Sequence, residues 1–124
     1  MYRISVDETF AAAHNLRDYH GKCEDLHGHN YKVRVMLEGN QLDSTGLLYD
    51  FVHLKHVIQG VIKSLDHKYL NELAPFDKLN PSAENIARHI FDETARNLLQ
   101  APNAVRVSGV TVWETDTSAA TYSA

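Results

Sequence analysis

One cysteine, one tryptophan, two methionines and three prolines among 124 residues leave few of the residue types that announce a specialised architecture. A single thiol permits no intrachain disulfide, which fits a reducing compartment and leads to the expectation of a cytoplasmic protein. Basic residues are also in short supply. Twelve Lys and Arg stand against 16 Asp and Glu, for a formal net charge of −4. Affinity for nucleic acid drawn from phosphate neutralisation is therefore not expected. No uncharged apolar run approaches the roughly 18 residues of a membrane span. The opening MYRISVDETF carries Arg3, Asp7 and Glu8 where a signal peptide would be apolar, so no membrane or secretory role is expected. Repeats, low-complexity tracts and linker-like shifts are missing too. Residues 1–124 thus read as one domain, whose thin core favours association into oligomers.

The composition is otherwise that of a folded protein, 44% apolar and 23% charged, and the residue in excess is histidine, with eight copies. Ile4, Val6, Phe10 and Ala12 share one phase of an alternating segment, residues 2–14, as a half-buried strand requires. Residues 15–26 are polar and aperiodic and predict a long loop. Alternation resumes at Tyr31, Val33, Val35 and Leu37, followed by turn signals at Gly39-Asn40 and Ser44-Thr45-Gly46. Asp50 is an acceptable N-cap for a helix whose apolar face is Phe51, Leu54, Ile58, Val61, Ile62 and Leu65. A second helix is expected from Asn80-Pro81, with Pro81 in its first turn and a stripe of Ala83, Ile86, Ala87, Ile90, Phe91, Leu98 and Leu99, ended by Pro102. Glu84 with Arg88 and Asp92 with Arg96 would form i,i+4 pairs on its solvent side. Val105 and Val107 alternate, Val110 and Val112 take the opposite parity, and the slip predicts a bulge at Ser108-Gly109. Ala119 to Ser123 predicts a last strand. The order is β-β-α-α-β-β: an α+β fold with an antiparallel four-stranded sheet and two helices on one face.

His14 has the apolar parity of the first strand, and His27 and His29 have that of the second. If those strands pair as a hairpin, three imidazoles converge on the buried face at its loop end. Buried imidazoles need partners, and His-x-His on a strand directs both rings to one side, where they can grip one ion. Three histidines with an open position match a catalytic zinc, whereas four protein ligands close a structural one. The plainer alternative is a set of satisfied core or surface histidines. His53, His56 and His89 fall among charged residues on helices and are read as solvated; His20 sits in the loop and is undecided. Cys23 has three readings: a fourth ligand, a thiolate activated beside the cation, or an exposed thiol without a role. Asp66-His67 follows the first helix, as a site dyad or as a surface acid beside a helix-terminal cation. Glu114 shares the parity of Val110 and Val112, which makes it a site carboxylate or a buried ion-pair partner.

Phe10-Ala-Ala-Ala-His14, Cys23-x-x-x-His27-Gly28-His29-Asn30-Tyr31, Gly46-Leu-Leu-Tyr-Asp50-Phe51, Leu65-Asp66-His67, Leu70-Asn71, Pro81-Ser-Ala-Glu84-Asn85 and Glu114-Thr115 span nearly the whole chain. Together they resemble the 6-pyruvoyltetrahydropterin synthase family of the tunnelling-fold (T-fold) superfamily, in its bacterial 6-carboxytetrahydropterin synthase branch. The short gap between Cys23 and His27 resembles that branch, whereas animal pyruvoyl enzymes have a longer one. A related hydroxymethylpterin-forming group has Glu in place of the cysteine, which this chain lacks. The resemblance implies that His14, His27 and His29 hold Zn2+, that Cys23 is the proton acceptor, and that His67 and Glu114 act in a relay with Asp66 supporting His67. Glu114 would also anchor the pterin, whose adjacent ring N–H and amino group match two carboxylate oxygens. Ser82 stands in the substrate site where relatives often have Thr. The implied reaction is a carbon–carbon lyase step of queuosine synthesis. In it 7,8-dihydroneopterin triphosphate becomes 6-carboxytetrahydropterin, with loss of acetaldehyde and triphosphate. Homotrimers or homohexamers with sites at subunit interfaces are implied as well. Lys22, Arg17 and Lys32 are candidate triphosphate contacts. Two alternatives remain: a pyruvoyl-type elimination, and a non-catalytic zinc-stabilised binding module.

Overall fold

The two alternating segments fold, in the computed structural model, as strands β1 (Tyr2–His14) and β2 (His27–Gly39). The structure describes residues 1–18, 25–98 and 104–124; His20, Lys22, Cys23, Leu99 and Pro102 lie outside the described residues. The two strands pair antiparallel in continuous register from Tyr2↔Gly39 to His14↔His27. Helix α1 (Phe51–Lys63) follows, then a two-residue strand β3 (Lys68–Tyr69) and a single 3-10 turn at Leu70–Glu72. Helix α2 (Ala83–Asn97), β4 (Arg106–Thr115) and β5 (Ser118–Tyr122) complete the order. The sheet runs β3-β1-β2-β4-β5.

The expected α+β layout is present, with one addition. The sheet has five strands instead of four, because β3 pairs parallel to β1 at Ala12↔Lys68 and Ala13↔Tyr69. Two residues are too few to carry an alternation, so nothing in the sequence pattern marks this strand. The bulge at Ser108 is present: Leu37 pairs Val107 and Met36 pairs Gly109, leaving Ser108 as the extra residue, with its hydroxyl on the Met36 carbonyl at 3.2 Å. A Cβ at Gly109 would lie 3.2 Å from the Met36 methyl, the flexible end of that side chain, which would have to shift by a few tenths of an ångström.

Both helices bury their apolar stripes on one face of the sheet. Leu54, Ile58, Ile86 and Ile90 are fully buried with Tyr31, Val33, Val35 and Leu37, each large side chain contributing roughly 2 kcal/mol by leaving water. The helix starts need two corrections. Asp50 does cap α1, accepting from Val52 N at 2.8 Å, but Phe51 points outward and is 50% exposed. In α2 the cap is Ser82, which accepts from Asn85 N at 3.2 Å, so Pro81 precedes the helix instead of lying in its first turn. The expected ion pairs also change partner. Arg88 meets Asp92 at 3.8 Å and Arg96 meets Glu93 at 2.9 Å, which leaves Glu84 without a pair among the described residues.

His53 and His56 are exposed as expected, but His89 is half-buried with its ring 5.3 Å from that of Phe76. Burial holds its pKa below the ordinary histidine value. Below about pH 6.5 the unfolded chain therefore takes up this proton before the folded one does, and the neutral-ring contribution is lost as pH falls. Substituting His89→Gln is expected to flatten the loss of stability between neutral and mildly acidic pH, as measured by urea unfolding at stepped pH. A slope identical to that of the unsubstituted protein would contradict this.

Candidate metal centre and active site

The long β1–β2 register ends where the imidazoles begin. His14 is the last residue of β1 and His27 the first of β2, directly opposite it; His29 faces Ala12 one step inward. All three share the buried phase, and one ring nitrogen from each lies within 4.8 Å of the others. The histidines expected to converge do so.

Their protonation follows from their outer partners. His14 Nδ1 lies 2.7 Å from the Pro81 carbonyl and His27 Nδ1 lies 2.6 Å from the Asp25 carbonyl. A carbonyl only accepts, so each Nδ1 carries the hydrogen and each neutral ring turns a bare Nε2 lone pair inward. These two Nε2 atoms are 3.0 Å apart, a repulsive approach unless a cation lies between them. His29 Nε2 is buried and has no hydrogen-bond partner. A single proton bridges two nitrogens, while a metal ion accommodates three. Burial depresses the pKa of His14 and of His29, which keeps both rings in the neutral form that ligates. The residues present fit a metal.

Glu114 reaches the same place from β4. Its Oε1 is 3.8 Å from His14 Nε2, and its side chain is 26% exposed, so the carboxylate borders the centre at the edge of solvent. The bulge at Ser108 puts it there by reversing the parity of the strand beyond it. Beneath the rings lies Tyr31, fully buried, stacked on Phe10 at 4.8 Å. Burial, and then the Glu114 charge, raise its pKa and keep the phenol protonated. Glu114 also lines a cavity of about 530 Å3 with Leu16, Ser82, Glu84 and the start of β5. Ser82 and Glu114 thus border one space. Glu84, which its spacing pairs with Arg88, lines this cavity instead.

Asp66 and His67 form a tight dyad at the outer edge of β1. Asp66 Oδ1 accepts from Ala11 N at 2.9 Å, and Oδ2 lies 3.0 Å from His67 Nδ1. The hydrogen bond from Ala11, more than the histidine, holds the Asp66 pKa below the usual carboxylate range. His67 N donates to the Ala11 carbonyl at 2.6 Å, and His67 adopts φ +59°, a left-handed conformation that a non-glycine residue keeps only when its surroundings impose it. Its side chain is 81% exposed. It shares a groove of about 480 Å3 with Gly28, His29 and Asn30, yet among the described residues no hydrogen bond, ion pair or ring contact joins it to the three histidines. Of the candidate phosphate contacts, Arg17 instead donates to the Asn71 and Phe76 carbonyls at 3.2 and 2.7 Å. Lys32 points to the opposite face of the sheet, 3.5 Å from Asp7 and over the Trp113 ring.

A mixed sheet with two helices on one face and a convergent three-histidine pocket beside a carboxylate defines a metalloenzyme-like site on a T-fold scaffold. Comparison with known proteins agrees. The family model for 6-pyruvoyl tetrahydropterin synthase matches residues 3–124. A dihydroneopterin monophosphate aldolase of Pyrococcus furiosus is 37% identical over 90% of this chain and 89% of its own. The 6-carboxy-5,6,7,8-tetrahydropterin synthase of Synechocystis is 36% identical over 98% and 93%, and that of Haemophilus influenzae 33% over 98% and 99%. The solved 6-pyruvoyl tetrahydropterin synthase of Caenorhabditis elegans superposes with a TM-score of 0.88 at 27% identity, covering 99% of this chain and 95% of that one. The chain belongs to the 6-pyruvoyl tetrahydropterin synthase family, and it is an enzyme, a lyase of that family. Among the described residues no helix is long and apolar enough to cross a membrane.

Replacing His29 by Ala removes one of three converging ligands. The variant is expected to lose more than about a hundredfold in affinity for added Zn2+. Competition against a chromophoric chelator measures this, and an unchanged affinity would remove His29 from the ligand set.

Proposed function

We propose that the chain is a zinc-dependent carbon–carbon lyase that converts 7,8-dihydroneopterin triphosphate to 6-carboxy-5,6,7,8-tetrahydropterin with release of acetaldehyde and triphosphate. In this reading it is a cytoplasmic single-domain enzyme that supplies an early intermediate of queuosine synthesis. The observation that carries the reading is the three-histidine set, with two bare lone pairs 3.0 Å apart and an unpartnered third nitrogen, beside a carboxylate that also lines a cavity. The names of the Synechocystis and Haemophilus influenzae relatives support the product.

Zinc held by His14, His27 and His29 would supply Lewis acidity towards the oxygens of the substrate side chain and stabilise the negative charge that develops there. The remaining work belongs to side chains. Cys23 accepts the proton from the carbon next to the pterin ring, acting as a thiolate. His67, oriented by Asp66 through the 3.0 Å contact, returns a proton on the other side. Glu114 receives the ring N–H and amino group of the pterin and shares in the relay, while Ser82 offers its hydroxyl hydrogen. The exposure of the Asp66–His67 dyad at the edge of β1 supports a site completed between subunits, in a homotrimer or a pair of trimers.

A second reading comes from the Pyrococcus furiosus relative, whose name specifies a monophosphate and an aldolase. Arg17 and Lys32 already hold protein groups, which favours a substrate that needs fewer cations. A retro-aldol cleavage of dihydroneopterin monophosphate would release glycolaldehyde phosphate and leave a hydroxymethylpterin.

The two readings part on products. Zinc-loaded protein given dihydroneopterin triphosphate is expected to release acetaldehyde; a pyruvoyl product without acetaldehyde, or turnover of the monophosphate alone, would overturn the first reading. Cys23→Ala should keep zinc and its melting temperature but lose turnover. Loss of zinc in that variant would mean a closed four-ligand site and a structural role instead. Glu114→Ala is expected to weaken pterin binding at unchanged zinc content, measured by fluorescence titration with a pterin.

A further inference from the structure

Asn71 does with its side chain what a neighbouring strand does with its backbone. It belongs to the 3-10 turn after β3, is buried, and grips the residue just past the end of β1. Its Oδ1 accepts from Asn15 N at 3.0 Å, and its Nδ2 donates to the Asn15 carbonyl at 2.9 Å. The Tyr69 hydroxyl donates to the side chain of the same residue, Asn15 Oδ1, at 2.7 Å. A buried amide engaged at both its oxygen and its nitrogen is fixed in place, and it fixes what it holds.

The segment between residues 66 and 71 is thereby pinned to β1 at both ends. Upstream, Asp66 Oδ1 accepts from Ala11 N at 2.9 Å and His67 N donates to the Ala11 carbonyl at 2.6 Å. Downstream, Tyr69 and Asn71 hold Asn15. Between the two anchors β3 pairs Lys68 with Ala12 and Tyr69 with Ala13. His67 stands inside this span with φ +59°, a backbone conformation that a non-glycine residue abandons once its surroundings let go. A strand of two residues is too short to impose that conformation by itself. The His67 ring is 81% exposed, so packing does not aim it; the backbone and the Asp66 carboxylate do.

We propose that Asn71 is a positioning residue for His67. By clamping the Asn15 backbone it secures the downstream end of β3, and with it the left-handed backbone that directs the imidazole. This rests on the reading of His67, given above, as the residue that returns a proton. Asn71 does not line the groove that His67 shares with His29, and among the described residues it makes no hydrogen bond to the three histidines. Its influence therefore falls on turnover, through His67, and not on substrate or metal binding.

Asn71→Ser, too short to clamp Asn15, is expected to lower kcat for dihydroneopterin triphosphate by about tenfold to a hundredfold while KM stays within about twofold. Zinc affinity, by chelator competition, should stay within about twofold of the parent. A fall in zinc affinity that matches the fall in kcat would mean that the clamp serves His14, the neighbour of Asn15, and would overturn the proposal. A double-mutant cycle separates positioning from general support. In a His67→Ala background, Asn71→Ser should change the residual kcat by less than about twofold, because a residue that acts through His67 has nothing left to act on. An undiminished loss in that background, or an unchanged kcat in the single variant, overturns the proposal. Should Asn71→Ser fail to fold, Tyr69→Phe removes one hydroxyl from the same anchor and runs the same cycle, with a smaller fall in kcat expected and an unchanged kcat again overturning the proposal. A His67→Ala variant that turns over as fast as the parent would instead defeat the reading of His67 itself.

Discussion

The pairing of β1 with β2 governs everything else in the molecule. Thirteen consecutive residues on each strand meet without a bulge, from Tyr2↔Gly39 to His14↔His27. A one-residue slip anywhere in that ladder would turn an entire strand over. It would carry Val6, Phe10 and His14 to the solvent together, so the hydrophobic core and the imidazole cluster are enforced by the same register. The apolar residues that lock the hairpin thereby set the alignment of the ligands, and the stability of the sheet and the geometry of the site are not separable.

Around that hairpin, the loops and the second helix act as outer supports. The Pro81 carbonyl that fixes the His14 tautomer belongs to the segment entering α2. That segment is held in turn: Asn80 exchanges two hydrogen bonds with the Arg17 backbone, and Asn85 donates to the Asn80 carbonyl at 2.9 Å. Arg17 meanwhile ties the chain beyond β1 to the carbonyls of Asn71 and Phe76. Orientation of a ligating histidine by a carbonyl from another element is a common way to set ring basicity and direction. Here it makes the α2 entry part of the surroundings of the three histidines.

Much of this was legible beforehand because strong periodicities carried it. Both long strands, both helices, the parity slip at Ser108 and the in-phase histidines follow from residue spacing alone. Other features depend on contacts that spacing does not encode. β3 is two residues long and exists because the His67 and Ala11 backbones bond across the sheet edge. Glu84 looked committed to Arg88 because i,i+4 spacing allows a pair without requiring one. His89 looked solvated among charged neighbours, but the loop carrying Phe76 folds over it. The location of the Asp66–His67 dyad, adjacent in sequence to a helix end yet lining a groove with His29, required the tertiary structure.

The extra residue at Ser108 has a consequence for how β4 can change over time. Before the bulge the strand faces the core through odd-numbered positions, and beyond it through even-numbered ones. The strand is thus two segments written in opposite reading phase and spliced at Gly109. Deleting Ser108 would leave both segments facing as they do now, because Val107 and Gly109 would then continue one unbroken alternation against Leu37 and Met36. A residue lost elsewhere in β4 would instead turn over the side chains beyond it. The splice is thus a place where the strand can shorten without exchanging its core and solvent sides, whereas the rest of its length is fixed by the faces it must present.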